Sequence, residues 1–268
     1  YDAINYFKQA LKLNNQFSIA KAALIETKGN ICDWSDQDIQ AIWLKNLGIE
    51  GSSVSPFGLL YYEDNPLKHL KRSKKLYKEK YTRPTKHIKS SRKNIIHIGY
   101  FSADFRDHPV MQLIAALLEM HDKSRFKIYL YSFVPKEDEY TERARKSGCI
   151  FRDISKLNNI EAVDLARDDK LDIAIDLMGY TKHNRFSIFS YRLAPIQINY
   201  LGYPASVGSD IIDYIIADKI VIPNKNEKFY TEKVIRMPNC YLCTDDKIKI
   251  SKKNVTRNDF NLPEKGFV

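Results

Sequence analysis

Apolar residues recur with helical spacing over residues 1–28. Ala3, Phe7, Ala10 and Leu11 keep i, i+4 and i+7 intervals, which predicts one shared helix face. Leu13-Asn14-Asn15 breaks the pattern. A second helix then resumes over residues 18–25 with Ala20, Ala22, Ala23 and Leu24, small residues that let helices approach closely. Residues 36–47 read as an amphipathic helix with Ile39, Ile42, Trp43 and Leu47 on one side and Gly48 as its stop. Residues 51–66 carry Ser, Pro and Gly and read as irregular. Residues 67–81 form a basic helix that Pro84 ends, and residues 86–93 read as a linker.

From residue 94 the pattern becomes strand, helix, strand in repetition. Strands are expected at 95–100, 127–133, 149–153, 171–177, 196–200, 213–217 and 234–237, with helices at 110–120, 139–147 and 160–168. That alternation predicts an α/β fold, a parallel sheet with helices on both faces. The expected division is therefore 1–28 as a helical-repeat tail, 29–93 as a helical connector and 94–268 as a Rossmann-like lobe. The Ala3-x-x-x-Phe7 element followed by a turn matches the second half of a tetratricopeptide repeat, with Asn15 where such repeats usually carry Pro. The chain opens on Tyr1 in what reads as the middle of a repeat helix, so a longer parent protein is expected.

Composition narrows the function. Apolar residues make up 44% and charged residues 28% of the chain, the mix of a folded soluble protein. No run approaches the ~20 apolar residues of a membrane-spanning helix, so no membrane is expected. Four scattered cysteines favour a reducing compartment, taken as the cytoplasm. Cys240 and Cys243 form a lone C-x-x-C, read as two ordinary loop thiols rather than zinc ligands. Most of the +10 charge lies in residues 68–92, which contain no motif that enters a nucleic-acid groove. That stretch reads as a solvated connector, and nucleic acid is not the expected partner.

Parallel sheets bind ligands beyond the carboxyl ends of their strands, so the chemistry is expected in the loops there. The first reads Ser102-Ala103-Asp104-Phe105-Arg106-Asp107-His108-Pro109. Pro109 fits the first position of a helix, which places His108 at the N-cap. The helix dipole there favours a neutral imidazole that can exchange hydrogen bonds with a substrate oxygen. The second loop follows Asp176 with Gly179, Tyr180 and Thr181, offering close approach and hydroxyls. Asp172 and Asp176 are four apart on one strand, and Asp176 is the one expected to reach the cleft, or else to be a buried carboxylate capping a loop. The third loop, with Gly202, Tyr203 and Pro204, is a rigid turn suited to a sugar or phosphate. No G-x-G-x-x-G, P-loop or Gly-x-Ser-x-Gly occurs, which removes the usual dehydrogenase, NTPase and serine-hydrolase readings.

Taken in order, these segments resemble the O-GlcNAc transferase and SPINDLY-like family. The resemblance rests on residues 98–109, on 172–181, on Leu193-Ala194-Pro195 through Gly202-Tyr203-Pro204, and on Asp213-Tyr214-Ile215-Ile216-Ala217-Asp218. Cys32-Asp33-Trp34 and Ser55-Pro56-Phe57 look like the family's connector. The resemblance implies a GT-B enzyme, this chain being the end of a tetratricopeptide array and the first of two catalytic lobes. It implies inverting, metal-independent transfer of a sugar to Ser or Thr of proteins, with acceptors held through the repeats. UDP-GlcNAc is the usual donor, while the SPINDLY branch uses GDP-fucose. His108 becomes the active-site histidine, as general base or positioning group; Pro109, Asp176, Gly179, Tyr180, Thr181, Gly202, Tyr203 and Pro204 become the substrate-binding set. Asp164 matches an aspartate also proposed for proton handling, in a setting that equally suits a surface charge. The family's second lobe binds most of the nucleotide, so residues 1–268 alone are expected neither to bind UDP tightly nor to turn over. The alternative is a repeat-based scaffold with an inactive lobe.

Overall fold

A computed structural model describes residues 2–81, 88 and 94–268. Helices α1 (Asp2–Leu13) and α2 (Ser18–Asn30) pack on each other across the intervening turn. The buried position of α1 is Ile4, with Phe7, Ala10 and Leu11 half-buried beside it; Ala3, expected on that face, is exposed. Helix α3 (Gln37–Leu44) departs further from its expected face. It buries Gln40 and Leu44, while Ile39 and Ile42 are 50% and 64% exposed. Its inward side is set by the small cluster of Ile25, Leu44, Leu47, Val54 and Leu59.

Helix α4 (Pro66–Lys80) starts on an Asn65 cap with Pro at its first position. It is not a solvated segment. Arg72 is fully buried, with Nε donating to the Leu47 carbonyl at 2.8 Å and Nη2 to that of Leu44 at 2.7 Å. A guanidinium thus satisfies a carbonyl that the end of α3 leaves orphaned. Glu63 pairs with the same Arg72 at 2.7 Å and neutralises it. Leu76 of α4 joins the core beneath the sheet, with Tyr77 and Tyr81 packed against it. The expected stop at Pro84 and most of the 86–93 linker lie outside the described residues.

The remaining elements follow in the expected order, alternating as far as β4: β1 (Ile96–Ser102), α5 (Pro109–Met120), β2 (Phe126–Ser132), α6 (Glu139–Lys146), β3 (Ile150–Asp153), α7 (Asn159–Asp168), β4 (Ile173–Asp176), β5 (Ile196–Asn199), β6 (Tyr214–Ala217) and β7 (Lys233–Arg236). The seven strands form one parallel sheet in the order β3-β2-β1-β4-β5-β6-β7. Alternating side chains serve two cores. Tyr100, Ile128, Leu130, Ile175 and Ile198 face α5 and α6, whereas Phe101, Tyr129, Tyr131 and Ala174 face α7 and α4. Beyond β7 the chain runs back past the first core, where Tyr241 and Cys243 pack and Asp245 pairs with Arg143. Cys240 is exposed.

The order of strands reverses between β1 and β4. Each of these strands leads into a loop at its carboxyl end, and a doubly wound sheet opens its ligand crevice at such a point.

Candidate active site

The β1 loop is built to present one imidazole. His108 has extended backbone (φ −157°, ψ 147°) and caps α5, its Nδ1 accepting from the Val110 N–H at 3.3 Å. Pro109 occupies the first helical position and is exposed. The loop is tied down on both sides. The Asp107 N–H donates to Asp138, which also caps α6, and Gln112 donates to the Asp107 carboxylate at 2.9 Å. Behind the ring lies Asp104, 6% exposed, with Oδ2 3.5 Å from His108 Nδ1 and Oδ1 3.5 Å from Arg106 Nη2. His183, in the loop after β4, adds its field to the same carboxyl.

Burial sets the electrostatics here. It pushes the His108 pKa below the ordinary histidine value, against the pull of Asp104 and with that of Arg106. Burial likewise raises the Asp104 carboxyl, which His108 and Arg106 oppose. The imidazole is therefore neutral near pH 7, as the sequence predicts, although desolvation is the main cause. Both contacts fall on Nδ1: an N–H that can donate to it and a carboxylate that can accept from it. One keeps the proton on Nε2, the other on Nδ1.

The loop after β4 is held by Asp176. This carboxylate is 2% exposed and accepts from the Met178 and Gly179 N–H groups at 2.9 and 3.0 Å. Asp176 thus caps the turn from inside, and burial lifts its pKa to about 7 despite those bonds. Gly179 takes φ +53°, and a Cβ there would stand 2.4 Å from Tyr203 Cβ. A Cβ on Gly202 would meet the Leu177 carbonyl oxygen at 1.9 Å and Val110 Cγ2 at 3.6 Å. The two glycines therefore let the β4 and β5 loops pack on one another and on the start of α5. Close approach serves protein packing at these positions.

The hydroxyls predicted to face ligand divide. Tyr180 is buried and donates to the Val207 carbonyl at 2.7 Å; Tyr203 is buried with its hydroxyl 3.2 Å from Ser73 Oγ. Both rings sit in the sheet core, 5.4 Å apart. Thr181 donates to the Met178 carbonyl at 2.9 Å. It lines a cleft of about 520 Å³ with Ser55, Lys80, Lys182 and His183. Pro204 is exposed and lines a different cavity of about 610 Å³, beside Glu63 and Tyr230. Asp164 lies on the exposed side of α7. The predicted set thus divides into His108, with Pro109 exposed beside it, Tyr180 and Thr181 at one cleft, Pro204 at a second cavity, and Asp176, Gly179, Gly202 and Tyr203 packed behind them.

Sequence reading passed over three residues. Asp104 stands four residues before His108 in the quoted loop, a spacing that could have flagged it. His183 lies in the second loop and carried no distinguishing signal. Glu232, 3% exposed, accepts from Ser206 Oγ at 2.6 Å and the Val207 N–H at 2.7 Å, so it holds the third loop from a distant part of the chain.

The chain is 29% identical over 272 residues to the Arabidopsis thaliana protein described as probable UDP-N-acetylglucosamine–peptide N-acetylglucosaminyltransferase SEC, covering 91% of this chain and 28% of that protein. It is 36% identical over 152 residues to the SPINDLY protein of the same plant, covering 55% and 17% of the two chains. The chain therefore spans less than a third of the length of these relatives. Among solved structures, an O-GlcNAc transferase of Thermobaculum terrenum, as its K341M mutant, superposes with a TM-score of 0.66. It is 23% identical and covers 89% of this chain and 41% of its own, a likeness of fold. The profile of glycosyl transferase family 41 matches residues 67–260, from the start of α4 through the whole sheet, and the chain belongs to that family.

Proposed function

We propose that this chain is the histidine-bearing part of a protein O-GlcNAc transferase, which moves N-acetylglucosamine from UDP-GlcNAc to Ser or Thr hydroxyls of proteins. The observation that carries the reading is His108, held neutral at the N-cap of α5 beside the β1/β4 crossover. In this role Nε2 takes the proton of the acceptor hydroxyl. The hydroxyl oxygen forms a bond to the sugar's anomeric carbon from the face opposite the diphosphate, and the diphosphate leaves with the electron pair of the broken bond, inverting the centre. A neutral imidazole is the form able to accept a proton, and burial keeps it so at physiological pH.

Within the same reading, residues 1–28 end a tetratricopeptide array that holds acceptor proteins, 29–93 connect it, and 94–268 form the N-terminal catalytic lobe. Thr181, with Tyr180 and Pro109, belongs to the substrate-binding surface, and Asp176, Gly179, Gly202, Tyr203 and Pro204 shape it. The work is placed in the cytoplasm and without a metal cofactor. No helix among the described residues is long and apolar enough to cross a membrane. The test is transfer by the complete protein to cell-lysate proteins, with radiolabelled UDP-GlcNAc and GDP-fucose offered separately. Label from UDP-GlcNAc, released from Ser and Thr by β-elimination and unaffected by EDTA, is expected. Label from GDP-fucose alone would replace the sugar, and label from neither would overturn the reading.

A further inference from the structure

We propose that Asp104 is a positioning residue for His108. It selects the imidazole tautomer that can act as a base and stabilises the imidazolium that forms. The inference rests on the reading of His108 given above.

To take a proton on Nε2, the ring must carry its own proton on Nδ1. Two groups face Nδ1: the Val110 N–H at 3.3 Å, which donates, and Asp104 Oδ2 at 3.5 Å, which accepts. Only the carboxylate is compatible with a protonated Nδ1. A small tilt of the ring away from Val110 exchanges the cap bond for a charge-assisted Nδ1–H···Oδ2 bond, and such bonds are about twice as strong as neutral ones. When Nε2 then gains the acceptor proton, the imidazolium already has its counter-charge in contact.

Asp104 is also fixed in a way that a surface carboxylate is not. It is 6% exposed, and its backbone N–H donates to Ser102 Oγ at 2.9 Å, which anchors it to the end of β1. The charged groups around the pair are Arg106 and Asp107 from the same loop and His183 from the loop after β4. Arg106 contacts Oδ1, leaving Oδ2 for the ring. Asp104 and His108 both come from the β1 loop, and His183, from the loop after the neighbouring β4, adds its field to the pair.

The experiment is histidine-selective nitrogen NMR on the complete protein, with His108→Ala to assign the resonance and Asp104→Asn as the probe. In the wild type, His108 is expected to show a population protonated on Nδ1, and the Asp104 carboxyl carbon to shift as His108 titrates. In Asp104→Asn the neutral ring is expected to keep its proton on Nε2, and its titration midpoint to fall by about one pH unit. Transfer should show kcat reduced about 10- to 100-fold with little change in KM, and its acid limb moved to lower pH. A wild-type His108 protonated on Nε2 alone, with no coupling to Asp104, would overturn the inference even if the variant did not fold. Identical midpoints and tautomers in the two proteins would do the same. Absence of sugar transfer by the wild type would sink the proposed function and leave the NMR result to decide the role of Asp104.

Discussion

Replacing Gly202 with Ala tests whether the three strand-end loops lock one another in place. A Cβ at this position would stand 1.9 Å from the Leu177 oxygen and 3.0 Å from its carbon. An ordinary carbon-to-oxygen contact is about 3.3 Å, so roughly 1.4 Å must be recovered by moving backbone. The Leu177 carbonyl cannot swing aside freely. Its own N–H donates to the Phe101 carbonyl at 3.1 Å, and the next two N–H groups are held by Asp176. Overpacking costs about 1–3 kcal/mol, and a backbone obstacle points to the upper end. The reduced freedom of Ala in the unfolded chain returns about 0.4–1 kcal/mol. A net loss of about 2–2.6 kcal/mol lowers Tm by roughly 4–10 °C in a chain of this size. Thermal unfolding followed by circular dichroism reads it. Gly58→Ala serves as the control, because its Cβ would meet the Glu26 carboxyl at an ordinary 3.4 Å, so only the unfolded-chain contribution remains and stability should rise by about 0.4–1 kcal/mol. A Gly202→Ala protein melting within about 2 °C of wild type would refute the close approach of the two loops.

Asp176 should titrate near neutrality. Its folded pKa of about 7 lies above the ~3.9 of an unfolded aspartate. The folded state therefore binds the extra proton, and this group's contribution is full below about pH 4 and lost as pH rises through about 7. Infrared spectra should show a protonated-carboxyl band near pH 5 that is absent in Asp176→Asn and fades by about pH 8; an ionised Asp176 at the lower pH would contradict this. Glu232→Gln leaves one acceptor where the Ser206 hydroxyl and the Val207 N–H now share two. It should cost about 1–2 kcal/mol in urea unfolding and speed hydrogen exchange at the Val207 amide, and unchanged exchange would remove Glu232 as the loop's anchor.

The sheet was legible because its strands are short apolar runs, the first four of them separated by helices with clear starts. Pro109 after His108 marks a helix N-terminus in the sequence itself, whereas Pro66, read as the end of an irregular stretch, proves to open α4 behind the Asn65 cap. The site was legible only where local chemistry decides position. His108 is placed by its neighbour Pro109, and the structure keeps it at the N-cap. Tyr180 and Tyr203 looked like ligand hydroxyls because they sit in Gly-containing loops. Their burial depends on α4 and on each other, contacts separated by many residues. The helical part shows the same limit. Ile39 and Ile42 satisfy a helical stripe, yet the face of α3 that turns inward is chosen by Leu47, Val54 and Arg72 from later in the chain. The charge run of α4 hid Arg72, because a count of lysines and arginines says nothing about which one meets two carbonyls and Glu63.

The central claim is that His108, presented beside the β1/β4 crossover, accepts the proton of the acceptor hydroxyl. The most direct measurement is kcat for transfer from UDP-GlcNAc by the complete protein, wild type against His108→Ala, with Tm recorded for both. The account predicts a fall of at least about 100-fold in kcat. It also predicts little change in Tm beyond the ~1 kcal/mol typical of a lost cap. Wild-type kcat in a folded His108→Ala protein would contradict it.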